Sequence, residues 1–468
     1  MRLSSLVTAA ELRLSDRVGG DPEVVAIEHR STLVVPGALF CCVRGQRVDG
    51  HDFAQDAIGA GAVALAVERR LPFDTAQIVV NDTRIAMAPL ASAIHGHPSR
   101  AMTMVGVTGT NGKTTTVSFL ASIFAANGWS GATIGTLTGP RTTPEAPELQ
   151  ALLARFRDEG ANAVAMEVTS HGLAQHRVDA ITFAVGVFTN LSRDHLDYHG
   201  TMEAYFAAKA SLFEPGRAGH AVVNLDDPHG RLLADTLGVP VTGFSLSHLS
   251  ELRVGATHST FRWHGVDVEI ALGGRFNVTN ALAAATAASV LGIEPHVVAN
   301  GLRAAAQVPG RFESVDAGQP FPLIVDYAHT PDGLEQVLRA ARDVAVGGRV
   351  LVVFGCGGER DATKRPAMGQ AAAELADVAV ITSDNPRSED PDAIIAAVRS
   401  GIVSPSRARV LIEPDRRRAI GLAIAEARDG DVVVVAGKGH ETTQTIGDQV
   451  RAFDDRVVAR ELLEDRSR

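Results

Sequence analysis

The sequence predicts an α/β protein of three domains, and three observations carry that expectation. At 468 residues the chain is too long for a single core; at ~100–200 residues per domain it divides into about three. Short apolar runs alternate with amphipathic helical stretches, which is the rhythm of strand and crossover helix in a mostly parallel sheet. Breaks fall near Pro98, just ahead of a central apolar run, and near residue 308, after a short helix. The boundaries therefore read 1–97, 98–308 and 309–468.

Composition narrows the function. The hydrophobic fraction is 45% with 21% charged residues, ordinary for a soluble globular protein. The net charge is −10, with no basic run beyond the short 416–418 cluster, which argues against a nucleic-acid surface. An anionic small substrate stays compatible, because a local pocket can be basic in an acidic protein. Cys41, Cys42 and Cys356 offer neither metal spacing nor a disulfide framework, so a reducing cytoplasm fits. The opening MRLSSLVTAAELRL lacks the apolar core of a signal peptide. No uncharged apolar segment reaches ~18 residues, so no membrane span is expected.

In the first third, residues 24–27, 38–43, 62–67 and 77–80 read as strands, and 52–60 and 83–94 as helices. Between them GQRVDGHDF (45–53) is a polar loop that, taken alone, is a turn.

The central third is organised around GVTGTNGKTTT (106–116). The apolar run 104–107 ends in this glycine-bearing turn, after which Val117, Leu120, Ile123 and Phe124 fall on one helical face. Strand, loop and helix of this kind aim backbone N–H groups and the positive helix end at phosphate oxygens. Lys113 can reach the β/γ-phosphates, and the Thr114 hydroxyl can hold Mg²⁺. The strict pattern G-x-x-x-x-G-K-[ST] is not met, since position 107 is Val and the glycines stand at 106, 109 and 112. The unit reads as a P-loop-type, mostly parallel sheet. RTTPEAPEL (141–149) puts two hydroxyls before a proline, where they either serve a ligand or cap the next helix. A strand over 163–168 ends at Glu167, and a carboxylate there, beside a phosphate loop, is placed for Mg²⁺. The strand 183–188 closes in TNLSRDHLDYHG (189–200), where His195 is the candidate ligand. A helix over 201–212 carries Lys209, and a strand over 221–224 follows. Residues 252–272 alternate like a hairpin region and interrupt the rhythm, before GGRFNVTNALAAATAA (273–288) opens an alanine-rich helix.

In the last third, strands over 322–326, 349–354, 378–383 and 431–437 empty into DYAHTPDG, FGCGGERD, SDNPRSEDP and AGKGHE. Ligands of open parallel sheets sit outside the carboxyl ends of the strands, so four polar loops there indicate a site. The domain reads as Rossmann-like in architecture, although GCGG is not a dinucleotide fingerprint, because Arg360 holds the place of the third glycine.

With these residues in view, the sequence resembles the Mur ligase family. The resemblance rests on TGTNGKTT, TTPE, MEVTSHGLAQHR, TNLSRDHLDYHG, AAKASLF, GRFNVTNALAA, GRFE, DYAHTPD, GCGGERD, DNPR and GKGHE, in family order, over about residues 24–445. It implies a UDP-binding first domain, a central ATPase domain and a C-terminal amino-acid-binding domain. It also implies ATP- and Mg²⁺-dependent amide synthesis in the cytoplasm, by a monomer, on peptidoglycan precursors. The γ-carboxylate of D-Glu in UDP-MurNAc-L-Ala-D-Glu becomes an acyl phosphate, and the amine of an amino acid displaces phosphate. By the same resemblance Gly109, Thr110, Asn111, Gly112, Lys113, Thr114 and Thr115 hold the phosphates. Arg311, Asp326 and His329 complete the nucleotide site, supported by Asn277 and Asn280. Thr114 and Glu167 match ligands of one Mg²⁺, and His195 and Lys209 face a second. Lys209 matches the lysine that is carbamylated in the family, a change that turns a cation into an anionic oxygen ligand. Ser31, Thr142, Thr143, Thr169, Gln175 and Arg177 match contacts to the UDP-linked peptide.

The string Asp384-Asn385-Pro386-Arg387 is similar to that of members taking meso-diaminopimelate, whose distal carboxylate an arginine fork can grip. Arg360, Gly437 and Glu441 match the remaining contacts to that amino acid. Two stretches depart from the pattern. Where the family shows D-S-R-x-V-x-P-G, the chain has Arg30-Ser31-Thr32-Leu33-Val34-Val35-Pro36-Gly37, and Arg141 stands where Asn often precedes the threonine pair. The rival readings are an L-lysine-adding ligase, a folylpolyglutamate synthase-like ligase, a P-loop kinase or switch, and a non-catalytic scaffold.

Overall fold

The computed structural model describes residues 1–45, 48–345 and 347–466. It contains three principal sheets in succession, each flanked by helices.

The first sheet is built from β1 (Asp16–Val18), β2 (Ala26–Glu28), β3 (Ala38–Cys41), β4 (Ala64–Val67) and β5 (Ala76–Val79), in the order β1-β5-β4-β3-β2. β3, β4 and β5 are buried throughout, as strands covered on both faces must be. β1 pairs antiparallel at the edge; its three mostly exposed residues give no apolar signal. The helix Thr83–Ile94 starts where expected because Asp82 accepts from the amides of Arg84 and Ile85. The predicted helix over 52–60 begins as a 3₁₀ turn, Gly50–Phe53, capped by Asp49, and becomes α-helical over Ala54–Gly59. Of the loop motif 45–53, Gln46 and Arg47 lie outside the described residues. The N-terminal MRLSSL stretch enters a short helix, Leu3–Ala9, whose Leu3 and Leu6 are buried.

The central sheet comprises β6 (Thr103–Thr108), β7 (Gly131–Ile134), β8 (Ala163–Glu167), β9 (Val185–Phe188), β10 (Ala221–Asn224) and β11 (Val241–Phe244). All are parallel, in the order β11-β10-β9-β6-β8-β7. β6 is thus interior, and its loop emerges between the ends of β8 and β9. The register places Val107 opposite Glu167 and Thr108 opposite Phe188, so the phosphate loop, the carboxylate and the 189–200 loop start side by side. Helices Lys113–Ala126, Arg275–Val290 and Pro295–Ala304 share one core with this sheet. Nine consecutive buried residues, Asn280–Ala288, are mostly alanine, which lets these helices approach closely. The alternating region forms an antiparallel sheet of three strands, β12 (Ser250–Val254), β13 (Ser259–Trp263) and β14 (Val266–Ile270).

The third sheet contains β15 (Glu313–Ser314), β16 (Leu323–Asp326), β17 (Val350–Phe354), β18 (Val378–Ile381), β19 (Arg409–Ile412) and β20 (Val432–Ala436). Its order is β15-β16-β20-β17-β18-β19, parallel except for β15. The valine-rich β17 and β20 are wholly buried between two helical layers. A hairpin of β21 (Thr443–Ile446) and β22 (Gln449–Ala452) follows. The Phe276 ring, from the first turn of helix Arg275–Val290, packs against this third core and stands edge-on to Phe312 at 5.4 Å. Among the described residues, no helix is long and apolar enough to cross a membrane.

Candidate active site

The carboxyl ends of the central and third sheets face one cleft of about 440 Å³. On the central side the phosphate loop is wound by two glycines with positive φ, Gly109 (+150°) and Gly112 (+86°). A Cβ at Gly109 would lie 1.9 Å from Thr189 Oγ1, and one at Gly112 would lie 2.2 Å from Asn280 Oδ1. The loop is pinned to the 189–200 segment, since the Thr110 amide donates to the Asn190 carbonyl and the Asn111 amide to Asn190 Oδ1, both at 2.9 Å. Lys113 Nζ folds back onto the Gly109 and Thr110 carbonyls, each at 2.9 Å. Burial depresses its pKa, opposed by Glu167. Arg311 crosses from the third domain, donates to Thr114 Oγ1 at 3.2 Å and stacks on Tyr327 at 4.5 Å. Its Nε is buried without a partner. An orphaned guanidinium nitrogen and a lysine turned onto its own loop fit an incoming polyphosphate.

Glu167 is 1% exposed, and its carboxylate accepts from the Thr136 amide at 2.8 Å and the Thr136 hydroxyl at 3.2 Å. A buried carboxylate with neutral donors around it suits a hard cation. His195 begins the turn Leu196–His199 at φ +54°, near Asp194 (3.4 Å) and edge-on to His171 (4.7 Å). Burial holds its pKa down to about 3, against the pull of Asp194, so its ring is neutral and can ligate. Lys209 is buried behind the loop; its Nζ donates to the Gly109 carbonyl at 2.7 Å and lies 4.5 Å over Tyr205. Burial, then the nearby Lys113 charge, press its pKa well down. A neutral amine is the form that adds CO₂. Among the described residues no cluster of three His, Cys, Asp or Glu could hold a metal. Thr114 and Glu167 could hold one Mg²⁺, and His195 with a modified Lys209 a second, each with substrate oxygens, the sparse protein ligation Mg²⁺ favours.

The third domain presents its four loops opposite. Asp326 accepts from the Phe312 and Ala328 amides, both at 2.7 Å, while burial raises its pKa. His329 Nδ1 meets the Tyr327 carbonyl at 2.9 Å, leaving Nε2 toward the cleft, and burial lowers its pKa to about 4. Asn385 bridges the Asp384–Arg387 and Gly437–Glu441 loops, donating to Glu441 Oε2 at 2.7 Å and accepting from the Thr445 amide at 2.9 Å. Arg387, at φ +54°, donates to the Gly358 carbonyl. Besides Arg311 to Thr114, two further polar contacts tie the domains across the cleft: Asn111 Nδ2 to Asp332 Oδ2 at 2.9 Å, and Arg193 Nη2 to Thr363 Oγ1 at 3.0 Å.

A second polar track leads from the cleft toward the first domain. Thr143 Oγ1 donates to the Glu167 carbonyl at 2.9 Å and accepts from Thr169, and Arg177 donates to the Thr143 carbonyl at 2.7 Å and to Gln175 Oε1 at 2.6 Å. Beyond it, two glutamates near the start of helix Ala146–Asp158 are each bracketed by two arginines. Glu145 lies 3.3 Å from Arg84 and 2.8 Å from Arg177. Glu148 pairs with Arg30 and lies 3.6 Å from Arg141. The two arginines at which the chain leaves the family pattern therefore meet on one carboxylate, one from each domain.

Of the residues expected from the sequence, Thr110, Asn111, Gly112, Lys113, Thr114, Thr115, Thr142, Glu167, Thr169, His195, Asn280, Arg311, Asp326 and His329 line the cleft together. Arg360, Asp384, Asn385, Arg387, Gly437 and Glu441 line it from the third domain. Gly109, Lys209, Asn277 and Pro386 stand behind this lining, Thr143, Gln175 and Arg177 belong to the outer track, and Ser31 opens the first domain's 3₁₀ turn Ser31–Leu33, away from the lining. Asn277 acts indirectly: it donates to the Gly273 carbonyl at 2.8 Å and accepts from Asn280 at 3.3 Å. The sequence reading did not single out Thr136, His171, Phe276 or Lys364, which also line the cleft. Lys364 follows the GCGGERD loop by three residues and His171 stands within MEVTSHGLAQHR, so proximity to those motifs was the available signal.

A phosphate loop, a cation-ready carboxylate and a second domain's loops across one cleft define a nucleotide-driven ligase of three domains. The chain belongs to the Mur ligase family: the Mur ligase middle domain matches residues 107–288, the Mur ligase glutamate ligase domain 310–439, and the Mur ligase family catalytic domain 23–95. Its relatives include proteins named UDP-N-acetylmuramoyl-L-alanyl-D-glutamate–2,6-diaminopimelate ligase. The one from Geobacillus kaustophilus is 46% identical over 96% of each chain. That from Syntrophomonas wolfei is 44% identical over 99% of each. A solved structure of a ligase with the same name is 34% identical, with TM-score 0.67, covering 95% of this chain and 96% of that one. The MurF ligase of Thermotoga maritima in complex with ADP shares the fold at 20% identity and TM-score 0.64, over 94% of this chain and 97% of that one.

Proposed function

We propose that the chain is an ATP-dependent amide ligase that adds meso-diaminopimelate to UDP-MurNAc-L-Ala-D-Glu, in cytoplasmic peptidoglycan precursor synthesis, as a monomer. One observation carries the reading: the phosphate loop and the Arg387–Glu441 face line the same cleft, so a phosphorylated carboxylate and an amino acid can meet there. Residues 1–97 would bind the UDP portion, 98–308 the ATP, and 309–468 the amino acid.

The γ-phosphoryl of ATP passes to the D-Glu γ-carboxylate, and the acyl phosphate is opened by the amine with loss of phosphate. A carboxylate resists amines until one oxygen becomes a leaving group. Lys113, the amides of 109–115 and Arg311 bind and orient the phosphates, the positioning that dominates phosphoryl transfer. Asn280, Asp326 and His329 shape the nucleotide site. Thr114 and Glu167 would hold one Mg²⁺ and His195 and a carbamylated Lys209 would face a second, and these ions would neutralise phosphate charge. Ser31, Thr142, Thr143, Thr169, Gln175 and Arg177 lead the UDP-linked peptide in, with its γ-carboxylate toward Glu167. Arg387 grips the distal carboxylate of diaminopimelate, Glu441 suits its distal ammonium, and Arg360, Asp384, Asn385, Pro386 and Gly437 frame it. Closure between the two domains keeps water from the acyl phosphate.

The test is phosphate release with ATP, Mg²⁺ and UDP-MurNAc-L-Ala-D-Glu, comparing meso-diaminopimelate with L-lysine. Release with diaminopimelate alone supports the whole reading. Release with lysine keeps the ligase and discards the specificity; release with neither discards both.

A further inference from the structure

The most deeply buried charged pair in the third domain touches no substrate candidate. Arg416 opens the helix Arg416–Glu426 and Asp455 opens the helix Asp455–Arg466, and both side chains are wholly buried. From sequence Arg416 read as part of a short basic cluster. In the fold it is a fork: Nε donates to Asp455 Oδ1 at 2.8 Å and Nη2 to Asp455 Oδ2 at 2.7 Å.

Stability alone does not account for this pair, because a buried ion pair is often no better than a well-packed apolar one. Two further contacts do. Nη2 also donates to the Ala436 carbonyl at 2.9 Å, and Nη1 to the Ser383 carbonyl at 3.4 Å. Ala436 ends β20, and Ser383 follows β18 by two residues; these strands are separated by β17, so no ladder hydrogen bond can join them. The next residue in each case is Gly437 or Asp384, the first of each amino-acid loop. The two loops pack tightly, since a Cβ at Gly437 would lie 2.6 Å from Asp384 Oδ2.

We propose that Arg416, locked in its rotamer by Asp455, is a positioning residue that sets the spacing between the Asp384–Arg387 and Gly437–Glu441 loops and so the fit of the amino-acid substrate. The inference rests on reading those loops as the amino-acid site. Only a planar guanidinium reaches both carbonyls while holding the carboxylate; an ammonium at that place keeps the ion pair and loses the span.

Two variants separate positioning from folding. Arg416→Lys retains the charge pair, and Arg416→Met with Asp455→Leu removes it without leaving a buried lone charge. In each, KM for meso-diaminopimelate should rise by about tenfold or more, because small displacements of contacting groups are costly. KM for ATP and for the UDP-linked dipeptide should stay within about twofold of the parent, since the phosphate loop and the Thr143–Arg177 track lie across the cleft and Arg416 bonds to Ser383 and Ala436, not to Arg311, Asp326 or His329. An unchanged diaminopimelate KM in a variant with parental cooperative melting overturns the proposal. So does an equal rise for all three substrates, or loss of cooperative melting in both variants, either of which makes the pair structural only. Failure of the underlying reading shows separately, as a parent enzyme that does not use diaminopimelate.

Discussion

Removing the Arg387 side chain isolates the step that selects the amino acid. Arg387 sits at φ +54°, so alanine inherits the backbone strain already present, and the substitution reports on the side chain. The guanidinium donates to the Gly358 carbonyl, a bond it gives up to grip a distal carboxylate. A charge-assisted fork to a carboxylate contributes about 3 kcal/mol, and the surrendered bond to a neutral carbonyl about 1 kcal/mol. The difference, about 2 kcal/mol, corresponds to about a 30-fold fall in kcat/KM for meso-diaminopimelate in Arg387→Ala. Phosphate release with each substrate varied in turn is the assay. KM for ATP should not move, because the phosphate loop lies across the cleft. Whatever residual activity exists with L-lysine should be preserved, since lysine has no distal carboxylate to lose. A variant with parental kcat/KM for diaminopimelate would refute the fork-and-carboxylate reasoning.

Three other perturbations test separate parts of the structure. Lys209→Ala should nearly abolish ligation without rescue by bicarbonate, measured by product formation; normal turnover would remove this buried amine from the chemistry. Gly112→Ala places a Cβ 2.2 Å from Asn280 Oδ1 at φ +86°, and should raise KM for ATP about 100-fold, checked by nucleotide titration of folded protein. Asp49 receives the His51 amide, and chiefly for that reason its pKa falls to about 2. Its folded pKa is thus below the unfolded value near 3.9, so its contribution is complete above about pH 4 and is lost as pH falls toward 2. Asp49→Asn should flatten the decline of urea midpoint over that interval; an identical acid profile in both proteins would exclude this linkage.

The parts of the fold that were legible were those written in continuous apolar runs. β3, β4, β17 and β20 are buried on both faces, so each shows as an unbroken apolar block, ALFC, ALAV, VLVVF and VVVVA. The strands missed are at edges. β7, with sequence GATI, and β19, with RVLI, are only partly buried; Thr133 splits the apolar residues of the first, and the apolar run of the second, three residues long, is too short to stand out. Missing β7 also hid Thr136, two residues beyond its end, although this residue supplies both donors to Glu167. Most of the cleft lining was visible because its residues end strands inside recognisable strings. Arg416 was not, because charge in a sequence signals solvent, and only the three-dimensional path of two helices shows the carboxylate that lets it be buried. The meeting of Arg30 and Arg141 on Glu148 was hidden for a related reason: each looked like a separate anomaly, and their shared partner lies over a hundred residues from one of them.

The Phe276 ring gives the junction of the central and third domains a mechanical character. It is a half-buried apolar knob packed against the other domain's core, beside Gly274, where a Cβ would meet Ala340 at 3.3 Å, whereas the contacts of Asn111 to Asp332, Arg311 to Thr114 and Arg193 to Thr363 are polar. The joint behaves like a ball in a socket with a wet rim. Rotation about the ring would exchange the rim bonds for water at nearly equal enthalpy. A turn of the third domain about this joint would therefore break polar rim bonds rather than tear open a broad hydrophobic seam.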